Sequence, residues 1–249
     1  MSADSPDDRY TVHFFHMRKP GISWVISEKD SFDILIGRFG TQLSSRDIEE
    51  AVKDLRKHNP GMGSRILRGG KVTAIPLRRT IPLIVADGYA AIGDCAGMTI
   101  PIIGSGIANS IKAGKYLADA ILLDSRMEFT AETLWQYQYE YFTNVVNQLV
   151  AVDKIKSLCT MLDADDVDYL LEKELLSEKE LELYSDDGAD INAPYILQKL
   201  IKALPKLPML ANATKTFAKI GIMKKVLDEM PKKYDREDVA DWCEKYGEI

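Results

Sequence analysis

The stretch that decides the fold covers residues 87–123 and reads DGYAAIGDCAGMTIPIIGSGIANSIKAGKYLADAILL. It opens with a short apolar run over residues 89–92, of the length typical of a buried strand. The run stops at Gly93 and Asp94, and a loop punctuated by glycine and proline follows. A helix is predicted from about Ser105, because apolar or small residues recur near a 3.6-residue period: Ile107, Ile111, Gly114, Leu117, Ala118 and Ile121.

This arrangement of strand, loop and helix is a suitable place for a polar ligand. The free N–H groups of the first helical turn and the positive end of the helix dipole favour an anionic or electron-rich group. Asp94 adds a carboxylate at the end of the strand. The alternative is a buried strand, a tight loop and a packing helix without a ligand, and the spacing of the whole stretch favours the ligand site. Cys95 is expected to be a small buried residue.

The stretch resembles the second flavin motif of FAD-dependent oxidoreductases built like para-hydroxybenzoate hydroxylase, and within them the geranylgeranyl reductases. The residues that carry the resemblance are Gly93, Asp94, Cys95, Ala96, Pro101, Gly104, Gly106, Ala113 and Gly114. It implies FAD as cofactor, with Asp94 accepting hydrogen bonds from the ribityl hydroxyls and the helix start offering amides to the pyrimidine edge. The predicted cofactor-binding residues are Gly93, Asp94, Pro101, Gly104, Ser105, Gly106, Ile107 and Ala108.

The family also has a strand–GxGxxG–helix element, which holds the ADP half of FAD and has no counterpart in this sequence. The nearest candidate, NPGMGSR at residues 59–65, follows a helix-like stretch and lacks the third glycine. The chain therefore corresponds to the carboxyl-terminal part of a flavoprotein. Three explanations stay open: a fragment, a partner subunit that supplies the missing N-terminal dinucleotide-binding domain, or loss of cofactor binding.

The predicted fold class is α+β, as part of an FAD/NAD(P)-binding architecture. β-rich runs at residues 10–15, 22–26 and 32–37 are separated by turns and predict an antiparallel meander. A helix is predicted from Ser44 or Ser45, either of which is a suitable N-cap, to about His58.

The resemblance assigns residues 1–86 to a β-rich substrate-binding domain with one helix, residues 87–125 to the second flavin motif and residues 126–249 to a helical region. Trp24 matches an aromatic position in the substrate-domain signature of the family. It is therefore a candidate substrate contact, and a position in the hydrophobic core is the alternative.

Charge and composition narrow the classes of function. The formal net charge of −6 argues against general nucleic-acid binding, and three cysteines without a CxxC pair suit a reducing cytoplasm. No metal site is predicted: His13 and His16 would point to opposite faces of a strand, and they form no recognisable ligand set with His58. No run of about 18 apolar residues occurs, so a soluble cytoplasmic protein is expected.

The chain after residue 123 is predicted to be helical. Residues 130–152 carry aromatics at helical spacing, which are interpreted as packing residues. Residues 163–190 are acidic, with a capping box at Ser177 and Glu180, and are interpreted as a solvated face. Residues 196–233 carry nine lysines and two acidic residues. They are interpreted as helices packed on the body, with peripheral contact to an anionic membrane as the alternative. Three prolines are expected to break this region into short helices: Pro205, Pro208 and Pro231.

Three functions follow from these patterns. The leading hypothesis is an FAD-dependent reductase that passes a hydride to a small apolar or lipid-like substrate, such as an isoprenoid double bond, with NAD(P)H as candidate electron donor. A flavin monooxygenase is the second, because the same motif serves hydroxylases. The third is a non-catalytic helical interaction module, which the missing GxGxxG element favours. No catalytic residue is assigned.

Overall fold

The computed structural model describes residues 10–70, 72–172 and 207–248. The chain divides into two compact units. The sheet unit comprises Met1–Ala74 with Leu162–Tyr169, and the helical unit comprises Ile75–Met161 with Leu170–Ile249. Helices and small antiparallel sheets are both present, which confirms the mixed content of the predicted α+β class.

The sheet unit contains the predicted meander. Its strands are β1 (Tyr10–Phe14), β2 (Ile22–Ser27) and β3 (Phe32–Ile36). They pair antiparallel in the order β1-β2-β3, with Trp24 opposite both Val12 and Leu35. The prediction from β-rich runs and turns is confirmed.

Helix α1 (Ser45–His58) packs on this sheet and begins at the predicted cap. The Ser44 hydroxyl accepts a hydrogen bond from the Asp47 N–H at 3.2 Å, and the Asp47 carboxylate accepts one from the Ser44 N–H at 3.1 Å. This capping box satisfies two N–H groups at the helix start. The core of the sheet unit is formed by Val25, Leu55 and Met62.

The prediction that His13 and His16 point to opposite faces of a strand is wrong. β1 ends at Phe14, and Phe15 adopts a left-handed conformation with φ of 51°. The chain turns there, so the period-2 rule no longer applies. The His13 and His16 ring centroids are 5.4 Å apart, and those of His13 and His58 are 6.1 Å apart.

The helical unit contains most of the described helices. Its elements begin with α2 (Ile107–Leu123), α3 (Ala131–Tyr141), a π-helical segment (Phe142–Val146) and α4 (Asn147–Cys159). The next helix, α5 (Ala164–Glu172), lies mainly in the sheet unit, and α6 (Leu207–Asp228) and α7 (Arg236–Glu248) belong to the helical unit again. The predicted helix over residues 130–152 is confirmed, with Thr130 as its N-cap, and it continues without a break to Cys159.

The expectation of short helices between residues 196 and 233 is wrong for the described part. α6 runs for 22 residues. Pro208 is its second residue, where the missing N–H has no intrahelical acceptor to lose, and Pro231 follows its end. Residues 173–206 lie outside the described residues, and with them the predicted capping box at Ser177 and Glu180, Pro205 and most of the acidic segment.

The predicted packing role of the aromatic residues is confirmed. Trp135, Tyr137, Tyr141 and Phe142 are all at most 2% exposed. Phe142 lies edge-on to Trp242 of α7, with ring centroids 5.4 Å apart. Edge-to-face pairs of this kind add stability beyond the area they bury. The aromatic side chains therefore join α3, the π-helical segment and α7 into one core.

The predicted four-residue buried strand is shorter than expected. Only β5 (Tyr89–Ala90) forms, paired with β4 (Val85–Ala86), and Tyr89 is 55% exposed. The reason lies in α3: the Gln138 side chain accepts a hydrogen bond from the Ile84 N–H at 2.8 Å, and the Tyr137 hydroxyl donates one to the Ala91 carbonyl at 2.6 Å. Side chains thus satisfy backbone groups that a longer ladder would have paired.

Candidate functional site

The Gly-Asp pair lies in one 3₁₀ turn, Gly93–Ala96, which ends at Gly97. The Gly97 N–H donates to the Asp94 carbonyl at 3.0 Å, and the Met98 N–H donates to the Gly93 carbonyl at 3.1 Å. Gly97 has a φ of 70°, and a Cβ there would lie 2.8 Å from the Arg79 carbonyl oxygen. Glycine is therefore required for this turn to close against residues 79–80.

The loop after the turn leads back to the same place. The Ile100 N–H donates to the Ser105 carbonyl at 2.7 Å, and the Gly104 N–H donates to the Ile100 carbonyl at 2.9 Å. The Asn109 side-chain amide donates to the Met98 carbonyl at 3.2 Å, and Asn109 itself is buried. These bonds fix the start of α2 beside the turn that carries Asp94.

The N-terminus of α2 is open. Its N-cap is Gly106, which offers no side-chain hydrogen bond. The N–H groups of the first helical turn have no partner within the helix, so they and the helix dipole give this end a partial positive charge. Ser110 does not cap the helix, because its hydroxyl donates back to the Gly106 carbonyl at 2.7 Å.

Asp94 and the start of α2 share one open groove of about 460 Å³. The Asp94 carboxylate is exposed and makes no hydrogen bond to any described residue. The groove therefore has one acidic acceptor and one positively polarised helix end, with apolar walls. Its lining residues are Ile75, Asp94, Gly104, Gly106, Ile107, Ser110 and Ile111.

Four of the eight predicted cofactor-binding residues line this groove: Asp94, Gly104, Gly106 and Ile107. Ser105 and Ala108 are exposed beside it, and Gly93 precedes Asp94 in the same turn. Pro101 is buried and lines a separate small cavity instead.

Sequence reasoning missed three lining residues of the groove. Ile111 belongs to the apolar repeat of α2, and Ser110 follows Gly106 by one helical turn, so the helix period carried a signal for both. Ile75 approaches from an irregular segment before the motif and had no local signal.

The expectation that Cys95 is a small buried residue is wrong. Its side chain is exposed, and its thiol contacts the Ile92 carbonyl at 3.2 Å. Within the 3₁₀ turn the inward position belongs to the next residue, Ala96, which is fully buried. A single turn of helix has room for one inward side chain here, and Cys95 faces outward.

The separate cavity holds about 10 Å³, room for roughly one water molecule. Asp153 and Lys154, both nearly buried, line it, and burial lowers the pKa of Lys154 against the opposing effect of Asp153. The Arg79 guanidinium lies over the Tyr246 ring at 4.7 Å. These contacts tie residues 77–80 to α4 and α7, so the cluster supports the back of the loop.

Trp24 belongs to the sheet unit. It is partly buried and lies on the face of β2 opposite the core residue Val25. Its neighbours across the sheet are Val12 and Leu35. The hydrophobic core is therefore not its position, and a role in contacting substrate stays a prediction.

Comparison with known proteins supports the resemblance. No family model matches the chain. Two digeranylgeranylglycerophospholipid reductases, from Methanothrix thermoacetophila and Sulfolobus acidocaldarius, are 28% and 26% identical over 143 and 139 residues. These matches cover 56% and 55% of this chain, and 32% and 30% of those proteins. Digeranylgeranylglycerophospholipid reductase 1 of Methanococcoides burtonii is 27% identical over 208 residues, or 80% of this chain and 48% of that protein.

The resemblance to the geranylgeranyl reductase family is confirmed. A crystal structure of a geranylgeranyl bacteriochlorophyll reductase-like protein from Thermoplasma acidophilum shares the fold, with a TM-score of 0.64 and 19% identity. The match covers 88% of this chain and 52% of that one. The chain spans about a third to a half of the length of the curated geranylgeranyl reductases it matches.

The described residues contain neither a membrane-spanning helix nor a cluster of metal ligands. None of their helices is both long enough and apolar enough to cross a bilayer. Among the same residues, no group of three or more His, Cys, Asp or Glu side chains has the arrangement needed to hold a metal ion.

Proposed function

We propose that the chain forms the flavin-ring half of an FAD-dependent reductase whose substrate is an apolar, isoprenoid-type molecule. The observation that carries the proposal is the groove in which the Asp94 carboxylate and the uncapped start of α2 meet. The similarity to digeranylgeranylglycerophospholipid reductases supports the reaction class and the substrate class. NAD(P)H is the proposed source of electrons, and the cytoplasm the proposed location.

The residues present fit a flavin. The groove volume lies in the range of small-molecule sites, and its walls are apolar, with few polar groups, as is usual for such sites. A carboxylate without a partner among the described residues is an acceptor for ribityl hydroxyls. The N-cap Gly106 has no side chain to occupy the amides at the start of α2, so these amides are open to the pyrimidine edge of the ring.

Bound flavin would supply hydride transfer, while the protein would bind and orient the flavin and exclude water. Asp94 would fix the ribityl chain by accepting hydrogen bonds. The start of α2 would stabilise negative charge that develops at the pyrimidine edge, because its N–H groups are already aligned. Ile75, Ile107 and Ile111 would keep water from one side of the ring.

The dinucleotide-binding element that this sequence lacks is proposed to come from another domain. Peripheral contact of the protein with a membrane through residues 196–233 is also proposed. It would suit a lipid-like substrate, and the lysine excess in that segment supports it.

Flavin binding by Asp94→Ala tests the function. Titration of the full chain with FAD, followed by quenching of flavin fluorescence, is expected to show saturable binding. Loss of a charged acceptor is expected to weaken it roughly 10- to 100-fold. Asp119→Ala is the matched control, since Asp119 is an exposed carboxylate of α2 that pairs with Lys115 at 2.7 Å. Equal affinity for wild type and Asp94→Ala, or no binding by either, would overturn the proposal.

The reaction class needs a separate measurement. With a flavin-loaded enzyme and NAD(P)H, reduction of an isoprenoid double bond without oxygen uptake is expected. Oxygen consumption coupled to a hydroxylated product would instead indicate a monooxygenase.

A further inference from the structure

One wall of the groove is Ile75, which belongs to an irregular segment of the helical unit. Residues 75–77, Ile-Pro-Leu, form neither a helix nor a strand. No backbone–backbone hydrogen bond joins these three residues to any other described residue, and Pro76 has no N–H to donate. Side chains from other elements must therefore set the position of this wall.

Two such side chains bind the carbonyl groups of the segment. The hydroxyl of Thr99, a buried residue of the loop after the Gly-Asp turn, donates to the Pro76 carbonyl. The Lys156 ammonium of α4 donates to the Leu77 carbonyl at 2.6 Å. The segment is therefore held from two sides, by the loop and by α4.

The Lys156 ammonium is itself fixed by α4. It lies 3.2 Å from the Asp153 carboxylate, one turn earlier in the helix, and the two side chains are only 16% and 12% exposed. A hydrogen bond from a charged donor is stronger than a neutral one, and low solvent access strengthens it further. Buried ion pairs add little net stability compared with apolar packing. The backbone position that this pair fixes is the better explanation for it.

The side chains of the held segment pack directly on the groove. Gly104, which lines the groove, has a φ of 73°, and a Cβ on it would lie 3.2 Å from Leu77 Cδ2 and 3.5 Å from Ile75 Cγ2. Both side chains therefore cover the backbone of the loop at this glycine. A shift of the Leu77 carbonyl would move Ile75 as well, because only Pro76 separates the two residues.

We propose that Lys156 is a positioning residue of the groove. By binding the Leu77 carbonyl it fixes the Ile75 side chain opposite the start of α2, so that the wall is in place before a ligand arrives. Lys156 does not line the groove and acts only through Ile75. That the ligand is the flavin ring rests on the proposed function, whereas the positioning of Ile75 does not.

Tryptic cleavage of the native chain tests the positioning without a ligand. Arg78 is exposed and directly follows the segment, and cleavage after it requires local opening. Lys156→Met removes the ammonium and keeps an unbranched side chain. The initial rate of cleavage after Arg78, read by mass spectrometry, is expected to rise about tenfold or more.

Lys245→Met is the matched control. Lys245 is an exposed lysine of α7 that pairs with Glu229 at 3.8 Å and bonds no backbone carbonyl in the described structure. Its substitution should leave cleavage after Arg78 at the wild-type rate. Asp153→Asn weakens the partner of the ammonium and is the second variant if Lys156→Met does not fold; it should raise the rate in the same direction.

A double-mutant cycle in FAD affinity separates positioning from general stabilisation. Lys156→Met and Ile75→Ala are each expected to weaken FAD binding by the full chain about fivefold. Ile75 is 41% exposed, so its truncation should not impair folding. The double variant should bind no more weakly than Ile75→Ala alone, because Lys156 acts through Ile75. Lys156→Arg keeps a charged donor and should recover most of the affinity.

The two proposals fail in different ways. An unchanged rate of cleavage in Lys156→Met, or losses of FAD affinity that simply multiply in the double variant, would overturn the positioning. If FAD binding depends on Asp94 but not on Lys156, the flavin function stands and the positioning fails. If no variant and no wild-type chain binds FAD but cleavage after Arg78 depends on Lys156, the flavin function fails and the positioning of the wall stands.

Discussion

The two units of the chain are stabilised by different kinds of interaction. The core of the helical unit is built from large aromatic side chains, Trp135, Tyr137, Tyr141 and Tyr246 among them, each at most 2% exposed. The core of the sheet unit has Val25, Leu55 and Met62 at its centre, and its helix is fastened to the sheet by polar groups as well. The His16 ring bridges the Ser23 hydroxyl and the Asp54 carboxylate, at 3.2 Å each.

This difference has a chemical consequence. Burial of aromatic surface does not depend on pH, whereas a histidine bridge does. All three histidines of the chain lie in the sheet unit, at positions 13, 16 and 58. The helical unit should therefore be the more stable of the two, and its stability should depend less on pH. A mutation in one unit should change mainly the stability of that unit.

The largest effect is expected for Trp135→Ala in the helical unit. The indole is 2% exposed, donates to the Pro231 carbonyl at 2.9 Å and lies edge-on to Tyr234. Removing it leaves a cavity and an unpaired carbonyl, so the free energy of unfolding should fall by about 3–5 kcal/mol. Amide hydrogen exchange read by mass spectrometry should show the loss in α3 and α6. An equal loss in β1–β3 would contradict the separation into two units.

A smaller effect is expected for Gln138→Leu. The buried amide of Gln138 accepts from the Ile84 N–H and donates to the Pro82 carbonyl at 2.9 Å. Leucine would leave the Ile84 N–H without a partner and the Pro82 carbonyl with only the Cys243 thiol, at 3.7 Å, so the free energy of unfolding should fall by about 1–3 kcal/mol. Thermal unfolding measures the loss. Gln136→Leu is the matched control, because Gln136 is exposed on the same helix and should change stability little.

A still smaller effect is expected for Ser44→Ala in the sheet unit. The hydroxyl caps α1 through the Asp47 N–H, so its removal should cost about 1 kcal/mol. Hydrogen exchange in the first turn of α1 reports it, and α3 should be unaffected. Ser45→Ala, one residue further along, removes no capping bond and should be nearly neutral. If Ser45→Ala costs as much as Ser44→Ala, the capping box does not contribute as described.

Elements whose signals are local were predictable from the sequence. The meander and α1 follow from β-rich runs, turns and a serine cap, all within a few residues of each other. The length of β5 could not be predicted from local sequence, because Tyr137 and Gln138 determine it from about 50 positions away. For α2, the period identified the helix but not its buried side. Ala113 and Ala120 are buried, whereas Ile107 and Ile111 are exposed to solvent. The period of apolar residues in the sequence does not indicate which face of the helix packs against the rest of the unit.

The smallest and most specific effect is the response of the sheet unit to acid. Burial lowers the pKa of His13 and of His16, and Asp54 opposes the effect at both. The unfolded chain, with histidine pKa values near 6.5, then binds protons more readily than the folded chain. Stability of the sheet unit should therefore be fully present above about pH 6.5 and decrease as pH falls from there towards the lowered pKa values.

Neighbouring charges also lower the pKa values of His13 and His16, or weaken the opposing effect of Asp54. Arg38 disfavours a proton on His16, and His58 disfavours one on His13. Lys57, at 3.5 Å from Asp54, competes for the carboxylate that would compensate a histidinium. Since one carboxylate faces three imidazoles, the first proton is partly compensated, whereas further protons meet like charge.

Tryptophan fluorescence separates the two units in this test. Trp24 is in the sheet unit, and Trp135 and Trp242 are in the helical unit. In a Trp135→Phe/Trp242→Phe variant, the urea midpoint reported by Trp24 should fall between pH 7.5 and 5.5. His13→Gln/His16→Gln on the same background should flatten this dependence, because glutamine carries hydrogen bonds but no titratable proton. A Trp24 midpoint that stays constant with pH, or one that varies equally in the glutamine variant, would show that the histidine cluster is not what distinguishes the sheet unit.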